Sequence, residues 1–202
     1  MLIPRERPYL EGLNSYYLHL EKLIEHMQGD IGSGGIHCIS PNLELFFYFN
    51  EQEIISSLVQ EKGGSATFAP SYEIARDRFH GANSSVKVYQ LDAHAIFFWA
   101  QMPPFLRAKS SLKSTEIALP DLIFRLKQKR FSGFIDVQLT QRTESGLLFF
   151  HEGSRIGGSY TWGRGGMTTS DEDYNILLNR VQAGEGVFTF GSFLKEENPA
   201  SL

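Results

Sequence analysis

The chain has 202 residues, 42% of them hydrophobic and 21% charged, a soluble globular profile long enough for one large or two small domains. Its formal net charge is −4 with no dominant basic patch, so the clustered Lys and Arg that neutralise phosphates are missing and nucleic acid is not an expected partner. One cysteine, Cys38, excludes an internal disulfide and a cysteine-rich zinc site, and no run approaches the roughly 20 apolar residues needed to span a bilayer.

Residues 1–13 carry two prolines and mixed charge and read as a loosely held arm. The start lacks the uninterrupted apolar core of a secretory signal, so a cytoplasmic protein is expected. Asn14 or Ser15 can cap a helix with Tyr16, Leu20, Leu23, Ile24 and Met27 on one face, closing at Gly29. A glycine turn, 31–35, leads into strands at 36–40, 43–49 and 52–60. Ser71 then caps a short helix with Tyr72, Ala75 and Phe79 inward. Val86–Leu91 alternates as a strand, and the apolar run within His94–Met102 (AIFFWAQM) reads as another. Pro103-Pro104 stops it, and the basic, serine-rich 107–115 reads as linker.

The pattern then restarts. Leu119, Leu122, Ile123 and Leu126 share a helix face, and Gly133–Leu139 alternates, with Asp136 and Gln138 on the polar side. A hairpin follows, 146–150 and 154–162, around the turn His151-Glu152-Gly153-Ser154, where Gly153 supplies a positive φ. A glycine loop, 163–166, precedes a helix capped by Ser170 with Asp171, Glu172 and Asp173 in its first turn. Val187–Phe190 is the last strand. In one register Leu20, Leu23, Ile24 and Met27 match Leu119, Leu122, Ile123 and Leu126. Gly34, Ile36 and Cys38 match Gly133, Ile135 and Val137, while Phe49 matches Phe150 and Tyr72 matches Tyr174. The expected fold is therefore α+β: two tandem modules, each an antiparallel β-meander packed against helices. The first spans 14–102 and the second 117–193, with a linker at 103–116 and a tail at 194–202.

Gly133-Phe134-Ile135, Gly146-Leu147-Leu148-Phe149, Gly153-Ser154-Arg155-Ile156 and Gly186-Val187-Phe188-Thr189-Phe190 together resemble the bacterial domain found at the N-terminus of PatA-type response regulators. The second module matches each block of that pattern. The first has Gln52 where the pattern has glycine and closes on Val86-Lys87-Val88-Tyr89. The resemblance implies a bacterial signalling or regulatory module, a domain of unknown function with no established catalytic residues, often joined to other partners.

Each candidate site has a plainer competitor. His37 beside Cys38 suggests a thiol–base pair, but neighbours on a strand point to opposite faces, and a free cysteine behaves as a small buried hydrophobe. His19 and His26 are spaced wrongly for a zinc site on one helix. Gly163, Gly165 and Gly166 before a helix form an anion- or ligand-binding candidate through their amides. Against it, the loop lacks a P-loop's spacing and lysine, and three acids occupy the helix's first turn. Trp162 and Arg164, flanking the loop, are the partner-binding candidates, because these residue types concentrate binding energy at interfaces. The favoured expectation is a non-enzymatic regulatory protein acting by protein–protein interaction, without cofactor or metal, with a homodimer as a possible assembly. The alternative is a small-ligand or nucleotide sensor with a pocket between the modules.

Overall fold

The computed structural model describes residues 1–163 and 166–194. Its elements in order are β1 (Leu10–Asn14), a 3-10 turn (Ser15–Tyr17), α1 (Leu20–Ile31), β2 (Gly34–Ile39), β3 (Leu43–Phe49), β4 (Ile54–Glu61), β5 (Thr67–Phe68), α2 (Tyr72–Gly81) and β6 (Ser85–Gln90). There follow α3 (Ala93–Ala100), β7 (Phe105–Arg107), β8 (Leu112–Lys113), α4 (Leu119–Gln128), β9 (Gly133–Leu139), β10 (Ser145–His151), β11 (Ser154–Tyr160), α5 (Asp171–Ala183) and β12 (Gly186–Phe193). The strands make two six-stranded antiparallel sheets, one per half of the chain: β1-β6-β2-β3-β4-β5, and β11-β10-β9-β12-β7 with β8 also on β12. The protein is α+β.

The two halves pair their strands alike. In the first, β2 meets β3 with Gly34 opposite Phe49, Ile36 opposite Phe47 and Cys38 opposite Leu45. In the second, β9 meets β10 with Gly133 opposite Phe150, Ile135 opposite Leu148 and Val137 opposite Gly146. Both hairpins that follow shift register at the matching place, between Tyr48 and Phe49 and between Phe149 and Phe150. The likeness extends upstream of α1 and α4. Ser15 Oγ accepts from Ser84 N at 2.9 Å, and Ser114 Oγ accepts from Gly186 N at 2.9 Å. Leu13 and Asn14 pair with Val86 and Ser85 as Leu112 and Lys113 pair with Phe188 and Val187.

Those pairings correct the domain layout read from sequence. Residues 103–116 are not a free linker, because β7 and β8 both hydrogen-bond to β12. Nor is the start a loose arm: Leu2 is 3% exposed, Tyr9 N donates to Val88 O at 2.7 Å, and β1 edges the first sheet. Of the tail 194–202, only Leu194 falls among the described residues.

Local corrections have local causes. The run expected as a strand at 94–102 is helix α3, whose N-cap Asp92 accepts from His94 N at 2.8 Å. Its buried residues are Ala95, Ile96, Trp99 and Ala100, a helical stripe. A continuous apolar run carries no period that separates buried helix from buried strand. Asn14 caps the 3-10 turn rather than α1, so Tyr16 lies outside the expected face, 77% exposed. α1 runs through Gly29 to Ile31 and ends at Gly32, whose φ is +73°. The hairpin turn forms as expected, with φ of +47° at Glu152 and +82° at Gly153. A Cβ on Gly153 would lie 2.7 Å from Lys127 O, so α4 packs directly on that turn.

Three cores result. α1 and α2 cover one face of the first sheet around Ile36, Phe47, Phe79 and Val88. α4 and α5 cover one face of the second around Ile135, Leu148, Tyr160 and Leu177. The third core lies between the sheets, where Phe46, Tyr48 and Tyr89 from one and Phe134, Leu147 and Phe149 from the other meet Leu2, Ile96 and Trp99. Both faces of each sheet are thus covered. That is why His37 and Asp136, read as polar-face residues, are 3% and 2% exposed.

Candidate functional site at the junction of the halves

The N-terminal segment threads between the sheets and supplies their polar contacts. The guanidinium of Arg5 pairs with Asp136 Oδ2, and Arg107 reaches the same oxygen at 3.7 Å. Burial outweighs both attractions and pushes the Asp136 carboxyl above its ordinary range. His37, which holds the matching place on β2, sits with Nε2 at 3.4 Å from Glu44 Oε2, and the Met1 amino group donates to that same oxygen at 3.2 Å. The hydrogen bond with His37 leads in holding Glu44 down at about 2, against the opposing effect of burial.

Further along this line Arg5 N donates to Ser159 Oγ at 2.9 Å, and Ser159 Oγ donates to Glu6 Oε2 at 3.2 Å. Glu6 occupies the glycine loop after β11. Its carboxylate also takes a bond from the Gly166 amide, and a Cβ on Gly163 would lie 2.7 Å from Glu6 Oε1. Burial raises the Glu6 carboxyl, and its own amide, Ser159 and Gly166 offset this only in part. Gly166 has φ +95°, and a Cβ there would lie 2.7 Å from Leu91 Cδ2 and 2.8 Å from Trp99 Nε1. The loop at Gly163 and Gly166 therefore lies against the protein's own Glu6 carboxylate.

The expected site residues divide accordingly. Gly163 and Gly166 come together around Glu6, while Arg164 and Gly165 lie outside the described residues. Trp162 is engaged within its own half. Its ring stacks on Tyr160 at 5.1 Å, carries the Arg180 guanidinium at 4.2 Å, and donates from Nε1 to Asp173 Oδ1 at 3.1 Å. Asp171 pairs with Arg155, and Ser170 Oγ accepts from Glu172 N and Asp173 N at 3.1 and 3.3 Å. These acids are held in capping and packing. Cys38 is buried among apolar side chains, with its thiol pushed up by burial. Among the described residues no three His, Cys, Asp or Glu side chains group as metal ligands.

Beside the loop, an open cleft of about 520 Å³ runs between the halves, with Glu6, Arg7, Tyr9, Gln90, Asp92 and Trp162 on its walls. Sequence reading missed Glu6, Arg7 and Asp92. The one usable signal was Asp136, an acid in a strand whose other face later proves covered. No described helix is long and apolar enough to cross a membrane. Against known proteins, no family model, curated protein or solved structure matches the chain.

Proposed function

We propose that the chain is a non-enzymatic regulatory protein that acts by binding an acidic protein partner, in keeping with the signalling role implied by the resemblance of its second half to the PatA-type domain. The observation that carries this is Phe124, 61% exposed on the outer face of α4. Arg125, Gln128 and the C-cap Lys129 are exposed further along this helix end, and Asp121 is exposed on the turn before. An exposed aromatic on a helix end richer in cations than in acids suits an apolar anchor on an acidic partner. The matching positions on α1 are Glu25, His26 and Asp30, so the feature belongs to the second half alone.

The full chain as immobilised bait in lysate of its source cells tests this. A triple variant, Phe124→Ser with Arg125→Glu and Lys129→Glu, changes only exposed side chains and is expected to keep the fold. It should lose partners that the wild type and Trp162→Ala both retain. Equal capture by the triple variant overturns the α4 surface.

The second reading, a small-ligand or nucleotide sensor, is favoured by the cleft between the halves. With Glu6 already on the Gly166 amide, a ligand there would meet carboxylates from Glu6 and Asp92 and a cation from Arg7, which suits an amine or polyol better than a phosphate. A melting-temperature screen of nucleotides, amines and polyols tests it, since binding the native state raises stability. A response confined to nucleotides would overturn the amine or polyol assignment.

A further inference from the structure

We infer that the second half carries a binding site for a small, ring-bearing molecule, neutral or cationic, in the cavity between α4 and α5. The cavity measures about 520 Å³ and is walled by Leu119, Pro120, Leu178 and Val181. That volume lies in the range of small-molecule sites, which are mostly apolar with a few polar groups at fixed places. Ser114, Asn179 and Gln182 provide the polar rim. Glu185 is its one charged lining residue, so an anionic ligand is disfavoured and an amine tolerated.

The first half shows what shape belongs there. Counting back from the helix C-caps, Ala82 and Gly184, Phe79 holds the place of Val181 and Arg76 that of Leu178. Phe79 is fully buried, its ring edge-on to Phe47 at 6.3 Å and 82°. Above it Glu21 of α1 bridges to α2, pairing with Arg76 at 3.7 Å and lying 3.9 Å from His80 Nε2. In the second half Pro120 stands for Glu21, Leu178 for Arg76 and Gln182 for His80, so no such bridge closes the groove.

One other exchange between the halves is compensated, and the contrast is informative. Leu45 and Ala75 become Gly146 and Leu177, and the Leu177 side chain fills the space over Gly146, 3.1 Å from where a Cβ would lie. At the Phe79 position the smaller Val181 is 5% exposed and lines the edge of the cavity. A ring inserted there regains the dispersion contacts that apolar walls otherwise lack. The site is separate from the exposed face of α4, and its variants leave Phe124 and Arg125 untouched.

The test titrates the full chain with indole, phenol and benzylamine, following amide chemical shifts and melting temperature. At least one probe should saturate with a Kd of about 1 mM or tighter, with shifts confined to 114–120 and 178–185. Val181→Phe, which restores the first half's filling, should weaken binding at least about tenfold while leaving the melting temperature level or higher. If that variant does not fold, Pro120→Glu with Leu178→Arg closes the groove from the rim and should weaken the probe equally. No saturation by any probe, unchanged affinity in the folded variant, or shifts centred on Gln90 and Asp92 would overturn the assignment.

Discussion

The two halves share the order of their central strands, pairing register, much of their helix-facing core and a serine clamp, yet they differ in their buried polar side chains. His37 and Asp136 occupy matching, buried positions on β2 and β9. His37 meets a carboxylate, that of Glu44, which also takes the Met1 amino group, while Asp136 meets two guanidiniums. The lesson is that the backbone repeat fixes where a polar side chain must be buried. What that side chain meets differs: Glu44 of β3, shared with the Met1 amino group, in one half, and Arg5 of the N-terminal segment with Arg107 of β7 in the other.

The largest expected effect therefore lies in the layer that belongs to neither half. Trp99 of α3 is fully buried and edge-on to Phe149 of the second sheet at 5.5 Å. Trp99→Ala should cost about 3–5 kcal/mol by removing a large core side chain. Trp162, the chain's other tryptophan, then reports the second half alone by fluorescence. Its urea transition should separate from the far-UV circular dichroism of the whole, because the layer coupling the halves is weakened. Coincident transitions with a cost under about 1 kcal/mol would show that the halves are coupled elsewhere.

Next comes the buried pair itself. Asp136→Ala leaves Arg5 and Arg107 facing each other without their shared counter-charge. The expected loss is about 3 kcal/mol by chemical denaturation, in the range for breaking one side of a buried pair. His37→Ala should cost about 1–2 kcal/mol, since Glu44 keeps the amino group and stands partly in solvent. Equal costs would mean that burial alone, and not the partners from the N-terminal segment and β7, sets the difference.

This ranking also explains what sequence could reveal. Gly133–Leu139, the Gly153 turn, the Ser71 and Ser170 caps and α4 are legible because local periodicity and capping chemistry specify them. Alternation tells which residues share a face but not whether a second layer covers the other one. His37 and Asp136 therefore looked solvated. α3 had no period to read, and the segments at 1–9 and 105–113 contribute strands or contacts too short to signal themselves. The glycine loop was visible, as one candidate for binding an anion. Glu6 was not, because its contact with Ser159 joins residues far apart in the chain.

A smaller effect tests the shared clamp. Ser15 is buried, accepts from Ser84 N and donates to Ala82 O at 2.7 Å. Ser114, half-buried, accepts from Gly186 N. Ser15→Ala strands a buried amide and should cost about 2 kcal/mol, against about 1 kcal/mol for Ser114→Ala. The melting temperatures of the two variants compare them directly, and the reverse order would count against burial as the cause.

The smallest effect concerns acid, and here the halves should move in opposite directions. Glu44 is held at about 2 when folded, against an ordinary 4.5, first by the hydrogen bond with His37. A depressed folded value means a contribution that is present above pH 4.5 and lost as pH falls toward about 2. Glu44 is partly exposed, so the contribution is under about 1 kcal/mol. Glu44→Gln should accordingly be the less stable protein at pH 7, with its deficit closing by pH 2. Asp136 has the opposite sign, because burial raises its carboxyl despite both guanidiniums. Its ionisation opposes folding as pH rises through the raised value, so relative to Asp136→Asn the wild type should gain stability as pH falls toward 3.8. Denaturation midpoints of both variants between pH 2 and pH 7 measure the two slopes. Slopes of the same sign would mean that the two carboxyls titrate in like surroundings, and that the N-terminal segment does not set the two halves apart.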